Sequence, residues 1–179
     1  MASIKQNRTK LLLGLAVSTS AVVLVWGAFF DFLSAHAVEK ERLTAISQNC
    51  STIKQSLSQL QRADSRTRTY LGSAYEAILT KFITPLNLRL TRNNHDAEQL
   101  FAIQAEFSAE QARFRAAYTD YMRELEGLIA TDCSAHPEAF YQHLESTRTK
   151  RTDLKATTVK LSELANAQYQ AVLELKESL

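Results

Sequence analysis

Two cysteines, four histidines and a few charged residues inside apolar seams are the side chains of this sequence with chemistry to offer. Cys50 and Cys133 are its only thiols, too far apart in the chain for the short ligand spacing of a zinc site. His36, His95, His136 and His143 include no pair at i, i+4 and no Glu-x-x-His, so the di-iron bundle signature is missing. His136 and His143 can share a helix face, but no third ligand accompanies them. Neither G-x-S-x-G nor H-E-x-x-H occurs, and the many serines and threonines lack a paired base. Only 4 glycines are present, which leaves no phosphate-cradling loop or dinucleotide fingerprint. The expectation is a non-enzyme with no catalytic residue, cofactor or metal.

The charged candidates are of another kind. Asp64 and Arg151 each stand where a heptad pattern calls for an apolar residue. With Asp120 from an intervening helix they would form a polar seam layer, whose best-attested use is to fix register. The expectation is that Arg151→Met would strand Asp64 and cost several kcal/mol. Around this level lie Arg66, Arg68, Arg148 and Lys150, with Tyr118 and Tyr121 near them. The four cations would make a basic belt, either a solvated face balanced by acids or a docking site for an acidic partner.

These side chains need long helices to position them. Only 4 Gly and 2 Pro interrupt 179 residues, too few for the turns of an all-β fold. Leu43, Ile46, Cys50, Ile53, Leu57 and Leu60 run at 3-4-3-4-3 spacing, a coiled-coil rhythm. Beyond residue 70 the apolar face widens to Tyr75, Leu79, Phe82, Ile83 and Leu86, and Pro85 either kinks or ends the helix. Arg92–Asp96 is the first turn, with Asn94 as the expected N-cap of the next helix. That helix carries Leu100, Ile103, Phe107, Phe114, Tyr121, Leu125 and Leu128. A turn at 131–136 and Pro137 open the last one, with Phe140, Leu144, Thr147, Leu154, Leu161, Ala165, Gln168, Val172 and Leu175 on its seam.

Register can be tested by counting. Around a turn near residue 93, Cys50 lies 43 residues before and Cys133 lies 40 after. The mismatch is about 5 Å at helical rise, so the cysteines are expected level and disulfide-bonded, as an oxidising compartment favours. By the same counting Asp64 and Arg151 share a height. Helices at about 36–92, 95–131 and 137–178 would then form an elongated antiparallel three-helix bundle.

The compartment is read from the N-terminus. Residues 11–30 contain no charge, enough apolar helix to cross about 30 Å of hydrocarbon. Lys5, Arg8 and Lys10 precede it without an acid, which places 1–10 in the cytoplasm and everything after about 34 outside. The apolar stretch is longer than a signal-peptide core, favouring an uncleaved anchor at 11–33 over cleavage after Ala37; either exports the same domain. Gly14-x-x-x-Ser18 offers a close-packing face for a weak homo-oligomer. The formal net charge of +2 gives no support for nucleic-acid binding. With three basic residues before the span, one acid at Asp31 and 18 of each sign beyond, it is an orientation signal.

Asp64–Gly72, DSRTRTYLG, and Leu79–Leu90, LTKFITPLNLRL, lie within a stretch from Asn49 to Asn94. That stretch resembles the first helix of a group of small single-span proteins of host-dependent bacteria with reduced genomes. The similarity extends through Asp132-Cys133 to the C-terminal helix. It implies a bacterial envelope protein with an exported helical domain, and carries over no activity and no site residue. Together these readings predict an all-α protein: a single-pass membrane anchor and an extracytoplasmic three-helix, coiled-coil-like domain for interaction or scaffolding with an envelope protein. The alternative is a sensory or ligand-binding bundle working with a separate signalling partner.

Overall fold

The computed structural model describes residues 39–178. The cytoplasmic tail, the apolar segment at 11–33, the Gly14/Ser18 face and the site after Ala37 lie outside the described residues. Among the described residues no helix is long and apolar enough to cross a membrane. The chain divides into two compact units, 1–45 and 46–179. Of the first, residues 39–45 are described, as helix. The second is an all-helical bundle.

Within it the first long helix is built in three pieces: α1 at Cys50–Ala77, a π-helical stretch at Ile78–Ile83, and α2 at Thr84–Arg92. Helix α3 spans Glu98–Ala130 and α4 spans Pro137–Ser178. The cross-links reverse direction from helix to helix. Tyr121 meets Asp64, Gln111 meets Glu76 and Gln104 meets Thr84, so α3 runs antiparallel to α1 and α2. Glu124 meets Ser146, which makes α4 antiparallel to α3 in turn.

Pro85 does not end the helix, which continues through it from the π-helical stretch into α2. Thr84 keeps right-handed helical angles although a proline follows it. Pro85 cannot donate to the carbonyl four residues back, and its ring would crowd that carbonyl. The turn before it is widened instead, and the Thr84 N–H donates to Leu79 five residues back. The extra residue advances the seam by one. Ile83, Asn87 and Leu90 are buried, whereas Phe82 is 68% exposed. Asn87 thus points inward, donating through Nδ2 to the Leu100 carbonyl at 3.1 Å and to Gln104 Oε1 at 2.6 Å.

The first turn departs from the expectation for Asn94. Asn94 has φ 54°, the left-handed region that asparagine tolerates better than most side chains. Its N–H donates to Thr91 and the His95 N–H to Leu90, the paired bonds that close a helix C-terminus. Asn94 therefore terminates α2 rather than opening α3. The Asp96 carboxylate accepts the Glu98 N–H at 3.3 Å. Asn94→Ala is expected to cost about 1 kcal/mol, because alanine pays the full left-handed penalty. Asn94→Gly should be neutral or stabilising in urea melts; equal losses from both variants would contradict this assignment.

The buried stripe of α3 is regular: Leu100, Ile103, Phe107, Gln111, Phe114, Tyr118, Tyr121, Leu125 and Leu128. Tyr75 of α1 meets Phe107 and Phe114 edge-on, with centroids 6.3 and 5.3 Å apart. At the second turn Asp132 accepts from Ser134 N–H, Ser134 Oγ and Ala135 N–H, and these bonds lower its pKa. Pro137 then starts α4. At the same end Cys50 and Cys133 form a disulfide, with Cα atoms 5.4 Å apart.

Helix α4 buries Leu161, Leu164, Gln168 and Ala171, not the Ala165 and Val172 expected on its seam. The reason lies in which neighbours it has. The first helix and α4 both pack on α3, while their own backbones make little approach to each other. Residues 161, 164 and 171 are buried on the α3 side, Gln168 is buried at the base of the gap between the outer helices, and 165 and 172 line that gap.

Candidate functional site

The gap between the outer helices opens beside the seam acid. There a groove of about 550 Å³ is lined from α1 by Asp64, Thr67, Arg68 and Leu71 and from α4 by Arg148, Arg151 and Lys155; its floor is Phe114 and Tyr118.

Each polar group has a defined position. The Tyr121 hydroxyl, on a fully buried ring, donates to Asp64 Oδ2 at 2.6 Å. Arg151 Nη2 donates to Asp64 Oδ1 at 3.4 Å from across the gap. Burial, then the hydrogen bond to Asp64 and its charge, push the Tyr121 pKa far above the usual tyrosine value; the Arg151 charge opposes this weakly. The Tyr118 hydroxyl donates to Ser65 Oγ at 3.3 Å, and the Arg68 guanidinium sits 4.7 Å above the Tyr118 ring.

Asp64 and Arg151 therefore meet, with unequal burial: the Asp64 side chain is 20% exposed and that of Arg151 53%. Asp120 stays outside this layer. It pairs with Arg123 on its own helix at 3.1 Å, and its neighbour Tyr121 takes the inner place. One residue is about 100° of helix rotation, enough to separate the two roles. Of the four belt cations, Arg68 and Arg148 line the groove. Arg66 is exposed and Lys150 half-buried, and neither lines it. Arg148 is held by Glu145 on the same helix.

Lys155 was not among the sequence candidates, although it stands one helical turn beyond Arg151, four residues on. Among the described residues neither Arg68 nor Lys155 is in an ion pair. The arrangement can hold a carboxylate or another anion against Lys155, the Tyr118-stacked Arg68 and an aromatic floor. Among the described residues no group of three or more His, Cys, Asp or Glu side chains is placed to hold a metal ion. His143 instead lies against Gly127, where an added Cβ would come within 2.6 Å of the ring, and contacts Glu124 at 3.3 Å. No protein-family model, characterised protein or solved structure matches this chain.

Proposed function

We propose that this chain is a non-enzymatic interaction protein of the bacterial cell envelope. It is anchored by the apolar segment at 11–33, and its helical bundle stands outside the cytoplasm. The bundle is an antiparallel three-helix scaffold that presents its open third interface to an acidic partner protein. The observation carrying this reading is the charge of the mid-bundle groove: four cations line it against one acid. That acid already has both carboxylate oxygens engaged, by Tyr121 and Arg151. Charges arranged this way steer association with an oppositely charged surface and set partner choice.

The test is crosslinking of the full chain in intact cells, comparing wild type with the double variant Arg68→Glu/Lys155→Glu. Wild type should capture a reproducible envelope protein, and the reversal should lower its yield by about tenfold. Equal yield from both proteins would remove the groove from the interface. Capture of a signalling kinase would favour a sensory bundle with a separate output partner.

A further inference from the structure

Higher in the same gap lies a second groove of about 490 Å³ with different chemistry. Its walls are Ile78, Phe82, Pro85 and Leu86 from the first helix, and Ala165 and Val172 from α4. Phe82 is 68% and Tyr169 59% exposed, and both rings stand at its edge. A concave apolar lining with a few polar groups is the usual form of a small-ligand site.

Two polar features interrupt the apolar lining. Gln168 is 6% exposed, and among the described residues neither its Nε2 nor its Oε1 has a hydrogen-bond partner. A buried primary amide with no partner carries a desolvation cost that an occupant supplying a polar atom would remove. Lys81 and Arg89, also at this groove, are exposed cations outside any ion pair among the described residues. Position relates them. Asp64 of the first helix meets Arg151 of α4 at a separation of 87 residues, and Ser47 meets Ser134, in the turn before α4, at the same separation, so the outer helices run parallel. Adding that offset to Lys81 gives Gln168. Both line the groove, so ammonium and amide stand within about one helical turn of each other even with the residue that the widened turn adds, and the wall of Pro85, Leu86 and Val172 extends from there toward Arg89.

We propose that this groove binds a single-chain amphiphilic anion: one hydrocarbon chain bearing a carboxylate or phosphate headgroup. The headgroup accepts from Lys81 Nζ and, once the buried Gln168 side chain turns from its closed position into the groove, from Gln168 Nε2. The chain lies along Phe82, Pro85, Leu86 and Val172, and Tyr169 covers it from the α4 side. The site stands independently of the acidic-partner groove below it, because none of its lining residues is shared.

The experiment uses the full chain in phosphatidylcholine nanodiscs, labelled with a diazirine analogue of palmitate and mapped by mass spectrometry of the adducts. Labelling should saturate and fall on 78–89 and 165–172. Palmitate or palmitoyl lysophosphatidate should compete, the better of the two identifying the headgroup. Uncharged hexadecanol should compete about tenfold less well, the loss expected with one charge-assisted hydrogen bond. Lys81→Glu and Gln168→Leu should each reduce labelling by a similar factor. Gln168→Leu should leave the melting temperature unchanged or higher, since it removes two unpaired buried atoms. Adducts confined to the apolar segment at 11–33, non-saturable labelling, or equal competition by hexadecanol would overturn the proposal.

Discussion

Replacing Cys50 and Cys133 together by alanine is expected to lower the unfolding free energy by about 4–5 kcal/mol. The bond closes a loop with a sequence separation of 83 residues. The entropy it withholds from the unfolded chain is worth about 4.5 kcal/mol at that length. Cys133 is also fully buried, so alanine gives up packing as well. Without the bond, the lower end of α1 must hold its register through polar contacts such as Ser47 Oγ to the Ser134 carbonyl, at 2.9 Å, and apolar burial at Ile46. Urea melts of oxidised and reduced wild type, run beside the double alanine variant, separate the cross-link from the packing loss. Thiol labelling of denatured, unreduced protein should detect neither cysteine. A reduced protein with the oxidised midpoint would show that the loop contributes no stability.

The second large effect belongs to Tyr121. Tyr121→Phe keeps the ring and removes only the hydroxyl, leaving a mostly buried Asp64 oxygen without its 2.6 Å donor. The expected loss is about 1.5–3 kcal/mol, the range for hydrogen bonds to charged groups. Arg151→Met should cost no more than about 1 kcal/mol, because the guanidinium is half in water and 3.4 Å from its partner. The several kcal/mol expected from the seam pattern therefore moves from the arginine to the tyrosine. An alkaline signature accompanies it. The folded state holds the Tyr121 proton to well above the usual pKa, whereas the unfolded chain releases it near pH 10. The native state then binds more protons, so stability present at neutral pH declines as pH rises beyond about 10. Tyr75, also raised by burial, adds a like trend. The difference between wild type and Tyr121→Phe isolates the Tyr121 part, and it should shrink as pH rises. A larger loss from Arg151→Met than from Tyr121→Phe would contradict this division.

Much of this architecture can be read before any coordinates. Counting residues from two turns brings Cys50 to Cys133 and Asp64 to Arg151, because helical rise converts sequence separation directly into height. Height does not specify azimuth, and the departures are of that sort. Asp120 and Tyr121 are equally level with Asp64, but only one can face inward, and the buried stripe through Phe114, Tyr118 and Tyr121 selects the tyrosine. Gln111 and Tyr118 complete that stripe at unbroken 3-4 spacing, and their polar atoms hide them from an apolar count. Asn94 is ambiguous by chemistry, since the same short amide suits a helix start and a left-handed end. The open interface left no trace in the pattern. Whether Ala165 and Val172 are core or groove depends on how closely two helices approach, and periodicity along one helix does not contain that distance.

The widened turn before Pro85 ties two sequence characters together. A π turn amounts to one residue inserted into an α-helix, so every side chain after it is rotated by about 100° from where an uninterrupted helix would place it. Upstream and downstream seams agree only because that residue is present: Tyr75, Ile83, Asn87 and Leu90 all face α3, and Phe82 does not. The proline and the extra residue therefore form one heritable unit. A descendant that lost a residue between 78 and 83 while keeping the rest would swing Asn87 away from Leu100 and Gln104 and turn Phe82 into the core. One that lost the proline alone could relax the turn only by rotating everything from Thr84 to the Asn94 bend. Insertions and deletions in this six-residue window should thus be tolerated far less than substitutions.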